Sequence, residues 1–468
     1  MKAIVALLGL ASWVWADTSH AQAGLAGTWC GIAVVPPDSG LPVSMRLKIA
    51  VGGDSGRVAL SLAESRLVDL AIPSPYSDSA VLSLGNDTVA FVFPPDIGLG
   101  ILGNLGLSRD AERISFEGGM AGAELRGRLR ITRYESAITL ARGRCASRYR
   151  EPEISFRSAR DSLRLAGKLV LPNGKGPFPF IVFVTGSDPD TREAWQLEAR
   201  ALAARGIASL LYDKRGVGGS VGTSHDLASY DDLAGDVEGA LRYLRSRADI
   251  ADARRLGLAG QSQGTWVITK VAANDREIAF LVFISGGAMT GAEQETYRTG
   301  ALMKRAGFTD ADIDAARAFQ REKFAVARTG LGWNRLDSTM QRLRADSVRW
   351  FPGYGTGAAA RSLAVLRLYG VLQFNYDPVP DLGKIKVPTL VIMGENDVVF
   401  PPDTVISRMR GIYRRSGNTK LTTRILPRTS HGQLVRQYVG GDAFRWVVNP
   451  AFLETLTSWV ATHSRVAR

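Results

Sequence analysis

Hydrophobic and polar residues alternate in short segments over the first third of the chain. Turns rich in Gly, Pro, Asp and Ser separate these segments, of which the clearest are 43–49, 57–62, 89–93 and 124–131. A period of two predicts strands with one buried face. We therefore expect a small antiparallel β domain, a barrel or sandwich, over residues 24–150.

The pattern changes after residue 150. Two alternating segments at 153–156 and 163–171 predict an antiparallel hairpin. Beyond it, short apolar runs alternate with segments of helical period, as expected for a mostly parallel sheet with helices on both faces. The predicted strands are 180–184, 207–212, 255–259, 280–284, 389–393 and 421–426. We therefore assign residues 151–468 to a second, α/β domain.

About a hundred residues separate two successive strands of this second domain, where a plain crossover needs about thirty. The intervening segment carries helical patterns rich in Arg, Ala and Leu. We predict a helical cap over the strand ends, at about residues 292–372. Trp333, Trp350 and Phe351 are candidates for lining a pocket beneath it. The alternative is that they pack within the core of the cap itself.

The first 23 residues have the features of a secretory signal peptide. Lys2 supplies the charge, residues 3–15 form the apolar segment, and Ala-Gln-Ala at 21–23 is a small-x-small cleavage pattern. An uncleaved anchor is the alternative. We predict an exported protein, periplasmic or extracellular, without stable membrane insertion.

Composition and cysteine usage agree with an exported globular protein. The chain is 45% hydrophobic and 22% charged, and it contains two cysteines, Cys30 and Cys145. An oxidising compartment favours a disulfide between them. Closing so long a loop contributes about 4 kcal/mol in the chain-entropy description. The alternative is two buried free thiols.

The net charge of +13 comes from scattered Arg and Lys residues. The sequence contains no nucleic-acid-binding motif, so we expect no nucleic-acid partner. Between Asp403 and Asp442 there is no acidic residue but there are eight basic ones. A solvated basic face accounts for this window. Attraction to anionic envelope surfaces or substrates is the alternative.

One strand-to-helix junction carries the signature of a nucleophile. Residues 260–264 read Gly-Gln-Ser-Gln-Gly, between an apolar strand and a segment that starts a helix. Glycines flank the serine where the turn is tight and a Cβ would collide. Such a turn raises the Ser262 hydroxyl above the strand ends, so Ser262 is the candidate nucleophile.

An acid and a base follow later strands in the order that this kind of site requires. Asp397 comes directly after the strand at 389–393, and His431 after the strand at 421–426. A carboxylate after that strand holds an imidazole in the tautomer that accepts the serine proton. Glu395 is the alternative acid, and His225 and His463 are the other histidines beyond the signal peptide. We predict Ser262, Asp397 and His431 as the catalytic residues.

An acyl-transfer site also needs main-chain donors for the negative charge that develops on the substrate oxygen. The amide of Gln263 directly follows the nucleophile. A second amide is expected from the loop after the strand at 180–184, with Ser187 preferred to Gly186, although the sequence alone does not fix which of the two amides points inward.

Four motifs together resemble the α/β-hydrolase superfamily, namely those at 213–220, 260–264, 387–397 and 430–432. The similarity covers residues 153–468 and is greatest to serine hydrolases that include exported bacterial esterases and S33-like serine aminopeptidases. The segment 27–31 is similar to the start of a β-rich domain that precedes some of these esterases. Residues 185–188 depart from the family, reading Thr-Gly-Ser-Asp where relatives often have His-Gly-Ser-Gly.

The resemblance implies an α/β-hydrolase fold and a role for some further residues. Asp188 places a negative charge near the oxyanion, and Arg192 or Arg215 is expected to pair with it. The turn at 213–215 is expected to be structural, as in the family.

The implied function is hydrolysis of a small-molecule acyl ester through an acyl-enzyme, without a metal or organic cofactor. An aminopeptidase or thioesterase on the same triad is the alternative. In an aminopeptidase, Glu293 and Glu295 of the cap would hold the substrate ammonium. A non-catalytic envelope-binding protein is the alternative of another class. The oligomeric state is open.

Overall fold

The computed structural model describes residues 25–34, 42–52, 55–62, 67–71, 81–84, 88–93, 114–131, 134–143, 149–222, 225–354, 361–440 and 443–464. Two compact units divide the chain: Met1–Ala146 with Val439–Asp442, and Ser147–Tyr438 with Ala443–Arg468. The predicted signal peptide at 1–23 lies outside the described residues, so it stays a prediction.

The first unit contains an antiparallel sheet, as its alternating sequence predicts. Its strands are β1 (Gly27–Val34), β2 (Pro42–Gly52), β3 (Ser55–Leu62), β4 (Leu67–Ala71), β5 (Val81–Leu84), β6 (Thr88–Phe93), β7 (Ile114–Ala121), β8 (Glu124–Ile131) and β9 (Tyr134–Arg142). They pair in the order β4-β3-β2-β1-β9-β8-β7-β6-β5. Alternate residues such as Trp29, Phe116, Leu125 and Leu129 are buried. The period of two therefore predicted both the strands and the buried face.

The second unit is built on a mixed sheet that is mostly parallel. Its strands are β10 (Tyr149–Arg150), β11 (Glu153–Arg157), β12 (Arg164–Pro172), β13 (Phe178–Val184), β14 (Ala208–Tyr212), β15 (Ala251–Gln261), β16 (Phe280–Ile284), β17 (Thr389–Gly394) and β18 (Leu421–Leu426). The order is β10-β12-β14-β13-β15-β16-β17-β18, with β11 paired to β12. Strands β13 to β18 run parallel, and β10 to β12 form the predicted antiparallel start.

The central strands of this sheet are buried on both faces. Every residue of β13, β14, β16 and β17 is buried. This is why these strands appear in the sequence as continuous apolar runs rather than alternating ones. Parallel strands also bring their carboxyl ends to one edge, and loops at that edge carry the candidate chemistry.

Helices cover the sheet and form the cap. They are α1 (Gln196–Ala203), α2 (Tyr230–Arg245), α3 (Gln263–Asn274), α4 (Gly291–Arg305), α5 (Asp310–Thr329), α6 (Trp333–Ala345), α7 (Phe351–Tyr354), α8 (Leu363–Tyr369), a π-helical turn (Gly370–Phe374), α9 (Val379–Leu382), α10 (Pro402–Arg415) and α11 (Pro450–His463). A short 3₁₀ turn, His225–Leu227, precedes α2. Ser229, Thr290 and Thr309 start α2, α4 and α5 with complete capping boxes.

The insertion between β16 and β17 is helical, as predicted, and has a hydrophobic core of its own. Trp350 and Phe351 are 3% and 1% exposed within this core, and Trp333 packs against it. The rings of Phe319, Trp350 and Phe351 contact one another. Of the two expectations for these aromatic residues, packing within the core of the cap is the one that the structure shows.

A small sheet follows β18 in the chain. Strands β19 (Leu434–Gly440) and β20 (Ala443–Val448) form a two-stranded sheet that the sequence patterns did not predict.

The eight basic residues of the window after Asp403 are all exposed, as a solvated face requires. Over the described ranges, no helix is long and apolar enough to cross a membrane.

Candidate active site

Ser262 lies at a strained turn between β15 and α3. Its backbone has φ 52° and ψ −117°, a region that non-glycine residues rarely occupy. The Ser262 amide donates to the Ile284 carbonyl at the end of β16 (3.0 Å), and its carbonyl accepts from Thr265. The turn is therefore held by the neighbouring strand and by the helix that follows.

The two glycines that flank Ser262 are required by close packing of the main chain. A Cβ on Gly260 would collide with the Gly264 carbonyl, and one on Gly264 would collide with the Val184 carbonyl. The turn is thus too tight for any side chain at either position, which explains the Gly-x-Ser-x-Gly spacing.

Asp397 and His431 form a hydrogen-bonded pair at the same edge of the sheet. The distance between His431 Nδ1 and Asp397 Oδ2 is 2.9 Å. The Asp397 side chain is fully buried, and its Oδ1 accepts from the amides of Val399 (2.8 Å) and Phe400 (2.9 Å). These amides fix the carboxylate, so it can fix the imidazole in turn.

Close packing brings the His431 loop to the end of β17. A Cβ on Gly394 would collide with the carbonyl of Thr429 and lie 2.6 Å from that of Ser430. The Phe400 ring lies nearly parallel to the His431 ring, with an angle of 8° and centroids 6.0 Å apart. Glycine therefore permits the approach of the loop, and Phe400 restricts the orientation of the imidazole.

The competing acid and base candidates have other roles. Glu395 is exposed, and its carboxylate accepts from the Arg428 amide (2.7 Å). His463 stacks on Trp459 in α11, with centroids 3.9 Å apart. His225 lies beside Asp226, with His225 Nε2 and Asp226 Oδ1 3.2 Å apart. Of the candidates, Asp397 and His431 are the two that the structure brings together.

The loop after β13 lies directly beside Ser262. A Cβ on Gly186 would stand 3.4 Å from the Ser262 Cβ. Gly186 is buried, whereas Ser187 and Asp188 are exposed. The loop therefore lies next to the candidate nucleophile, and its role as a main-chain donor stays a prediction.

The two arginines that were expected to pair with Asp188 bind other carboxylates. Arg192 Nε lies 3.2 Å from Glu153 Oε2, and Arg192 Nη1 lies 3.6 Å from Asp213 Oδ2. Arg215 forms a two-point ion pair with the buried Asp236. The expected pairing of either arginine with Asp188 is therefore wrong.

Asp213 has the structural role that was predicted for the turn at 213–215. Its carboxylate accepts from the amides of Arg192 and Gly219, both at 2.7 Å. Lys214 differs from its neighbours in this turn: its side chain extends to the loop beside Ser262. The turn was predicted to be structural as a whole, and no local pattern in the sequence distinguishes Lys214 within it.

Comparison with known families identifies the fold. Residues 181–438, more than half of the chain, match the sequence profile described as the Alpha/beta hydrolase family. The chain belongs to the Alpha/beta hydrolase family. The predicted fold class is confirmed, and the protein is a hydrolase. The match is to the broad family and does not resolve the S33-like grouping.

Solved structures of low sequence identity are similar to this Alpha/beta hydrolase over about two thirds of its length. An esterase from Pyrococcus furiosus is 16% identical, with 67% of this chain and 90% of that chain covered and a TM-score of 0.41. A proline iminopeptidase from Mycobacterium smegmatis is 16% identical, with 67% and 99% covered and a TM-score of 0.42. Among curated proteins, no sequence matches this chain.

Two further residues of this Alpha/beta hydrolase support the site without having been predicted. Tyr297 of the cap donates its hydroxyl hydrogen to the Asp397 carbonyl (3.2 Å), and Gln433 donates to the buried Ser285 hydroxyl (2.7 Å). Neither residue belongs to a motif. Such contacts join residues about a hundred or more positions apart, so only the folded chain shows them.

Proposed function

We propose that the protein is a serine hydrolase that cleaves carboxylic esters through an acyl-enzyme. The observation that carries the proposal is the strained turn at Ser262, because a serine held at φ 52° between two obligatory glycines has no evident structural purpose. The Asp397–His431 pair at the same sheet edge supports it.

In the proposed reaction, His431 takes the proton of the Ser262 hydroxyl as its oxygen attacks the acyl carbonyl. The tetrahedral adduct collapses when the bond to the alkoxy group breaks, and His431 passes the proton to the departing alcohol. Water then attacks the acyl-serine, and His431 again takes the proton. The bond between the acyl carbon and Ser262 Oγ breaks, His431 returns the proton to Oγ, and the carboxylic acid leaves. Asp397 stabilises the imidazolium that forms in each half of the cycle.

The contacts of the cap glutamates favour an ester over an aminopeptidase substrate. Glu293 completes the capping box of α4 and pairs with Arg408 at 2.9 Å. Glu295 lies 3.3 Å from Arg298. A carboxylate that already has a cationic partner is a weak site for a substrate ammonium. We therefore place an amino-terminal peptide substrate second.

A fluorophosphonate probe together with p-nitrophenyl esters tests this proposal. We expect the wild type to be labelled and to hydrolyse short esters, and Ser262→Ala to lose both by about 10⁴-fold or more, because the attacking oxygen is gone. Ser347→Ala is the matched control, since Ser347 also has a positive φ but is exposed after a helix of the cap. Labelling that persists in Ser262→Ala, or a folded wild type that is inert to probe and esters, would contradict the proposal.

We also propose that the protein is exported and that Cys30 and Cys145 form a disulfide. Cys145 lies outside the described residues, but β1 pairs with β9 so that Cys30 stands opposite Ala141. The Cys30 Sγ lies 3.9 Å from the Gly143 carbonyl oxygen, two residues before Cys145. The chain thus leaves β9 close to Cys30.

Mass spectrometry of protein secreted by a bacterial host tests both proposals. We expect a mature chain that starts after residue 23, and cysteines that react with iodoacetamide only after reduction. Reduction is expected to lower the stability of the first unit by about 4 kcal/mol or less. Alkylation of both cysteines in unreduced, folded protein would refute the disulfide, and an intact first segment would refute cleavage.

A further inference from the structure

Lys214 is a buried cation beneath the loop that adjoins Ser262. It follows β14 and is 4% exposed. Its ammonium donates to the carbonyls of Gly186 (2.5 Å) and Asp188 (3.3 Å) and to the Gln263 side-chain oxygen (3.3 Å). All three acceptors belong to segments that adjoin the candidate nucleophile.

The carbonyls of Gly186 and Asp188, one on each side of Ser187, are both bound to Lys214. Burial and the nearby charge of Lys214 lower the pKa of His225 in the 3₁₀ turn. Lys214 is therefore the basic side chain that holds the main chain of this loop.

Holding a carbonyl also sets the direction of the amide in the same peptide group. In a trans peptide the C=O and N–H bonds point in opposite directions. The Gly186 carbonyl points inward to buried Lys214, so the Ser187 N–H points away from it, on the side of exposed Ser187. Gly186 itself lies against Ser262.

An ammonium on the carbonyl also strengthens the amide as a donor. A charged group bound to one end of a peptide polarises it, and this raises the partial positive charge on the N–H. Lys214 therefore sets the direction in which the Ser187 amide points and increases its strength as a hydrogen-bond donor.

We propose that Lys214 is a positioning residue for the oxyanion hole, which orients and polarises the Gly186–Ser187 peptide so that the Ser187 amide is the second donor. The proposal rests on the serine-hydrolase function proposed above. It also gives a physical reason for the preference for the Ser187 amide over that of Gly186. The first donor is the Gln263 amide at the start of α3, and the Gln263 side chain is held by Lys214 as well.

The charge of Lys214 depends on pH within an accessible range. Burial lowers its pKa to about 8, although nearby carboxylates oppose this. The groups that face it are Asp188 and Asp190 from the loop after β13, His225 and Asp226 from the 3₁₀ turn, and Asp236 from α2. Above about pH 8 the ammonium becomes neutral and its polarising effect is lost, so kcat is expected to fall there.

Kinetics of Lys214→Met with p-nitrophenyl acetate test the proposal. We expect kcat to fall about 10- to 100-fold with KM nearly unchanged, since the donor acts on the transition state. Fluorophosphonate labelling should slow by a similar factor. The wild-type kcat should decline above about pH 8, and Lys214→Met should lack this decline. Lys214→Gln keeps donors without the charge, so its kcat should be intermediate and also lack the decline.

Lys168→Met is the matched control, because Lys168 is also a buried lysine but pairs with Glu193 at 2.7 Å. It is expected to keep the wild-type kcat and pH profile. A folded Lys214→Met with wild-type kcat would overturn the proposal. Should that variant not fold, a wild-type kcat that stays constant well above pH 8 would overturn it equally. A wild type inert to ester and probe would instead refute the hydrolase proposal, so the two failures are distinguishable.

Discussion

Replacing His431 with alanine is expected to lower kcat/KM for ester hydrolysis by about 10⁴- to 10⁶-fold. In the proposed reaction the imidazole accepts the Ser262 proton in acylation and the water proton in deacylation, so both half-reactions would lose their base. Fluorophosphonate labelling should fall with turnover, because it needs the same activated serine. Rates with p-nitrophenyl butyrate and the rate of labelling measure the effect.

His463→Ala is the control for this loss. His463 lies in α11, stacks on Trp459 and hydrogen-bonds to its carbonyl at 2.8 Å. Its removal should leave kcat/KM within about twofold of wild type. A folded His431→Ala variant that keeps more than a tenth of wild-type activity would show that another group is the base.

Replacing Asp397 with asparagine is expected to lower kcat by about 10⁴-fold, the effect typical of a triad acid. The carbonyl oxygen of asparagine can still accept from the amides of Val399 and Phe400, so the fold is preserved. Its NH₂ group then faces His431 Nδ1, where the carboxylate accepted a hydrogen bond. The imidazole must then carry its lone pair on Nδ1 and its proton on Nε2. Because Nε2 is the nitrogen that would accept the serine proton, the base is lost.

The matched substitution is Glu395→Gln, two residues earlier in the same loop. Glu395 is exposed and its carboxylate caps the Arg428 amide, so we expect kcat within about twofold of wild type. A large loss in Glu395→Gln together with an active Asp397→Asn would make Glu395 the acid. Thermal unfolding of both variants distinguishes a chemical loss from an unfolded protein.

The losses of activity caused by His431→Ala, Asp397→Asn and Ser262→Ala should not be additive. Residues that act as one unit lose nearly their whole contribution when any member is removed. The Asp397→Asn/His431→Ala double variant should therefore be about as active as His431→Ala alone. If the fold-losses of activity in the two single variants multiplied in the double variant, the two residues would act in separate steps.

The order of the elements was largely predictable because the hydrophobic pattern has a different period in each part of the chain. Alternation over residues 43–49 and 124–131 marked strands with one buried face, and β2 and β8 contain these segments. Continuous apolar runs marked β13 and β16, which are buried on both faces. The β19–β20 sheet was not predicted, although both of its strands are rich in Val and aromatic residues.

The candidate chemistry was predictable only where the chain demands a particular residue type at a particular spacing. Ser262 was identifiable because the tight turn excludes a side chain at Gly260 and Gly264, which leaves a mark in the sequence. Asp397 and His431 were identifiable because each directly follows a parallel strand, and such strands end at one edge.

Contacts between distant segments leave no such mark in one sequence. Lys214 shares a motif with Asp213 and Arg215, yet only the folded chain shows that its ammonium binds the Gly186 carbonyl, 28 residues earlier. In the same way, Trp350 and Phe351 have the composition of a pocket lining, but packing places them in the core of the cap.

The sequence by itself thus determined the two kinds of sheet, the helical insertion and the three residues proposed for catalysis, because local sterics and periodicity restrict residue type position by position. The tertiary structure decided which cation lies under the Gly186 loop, which carboxylate meets His431 and what the cap aromatics contact. Those outcomes depend on the relative placement of segments far apart in the chain, and one sequence does not encode that placement in any local pattern.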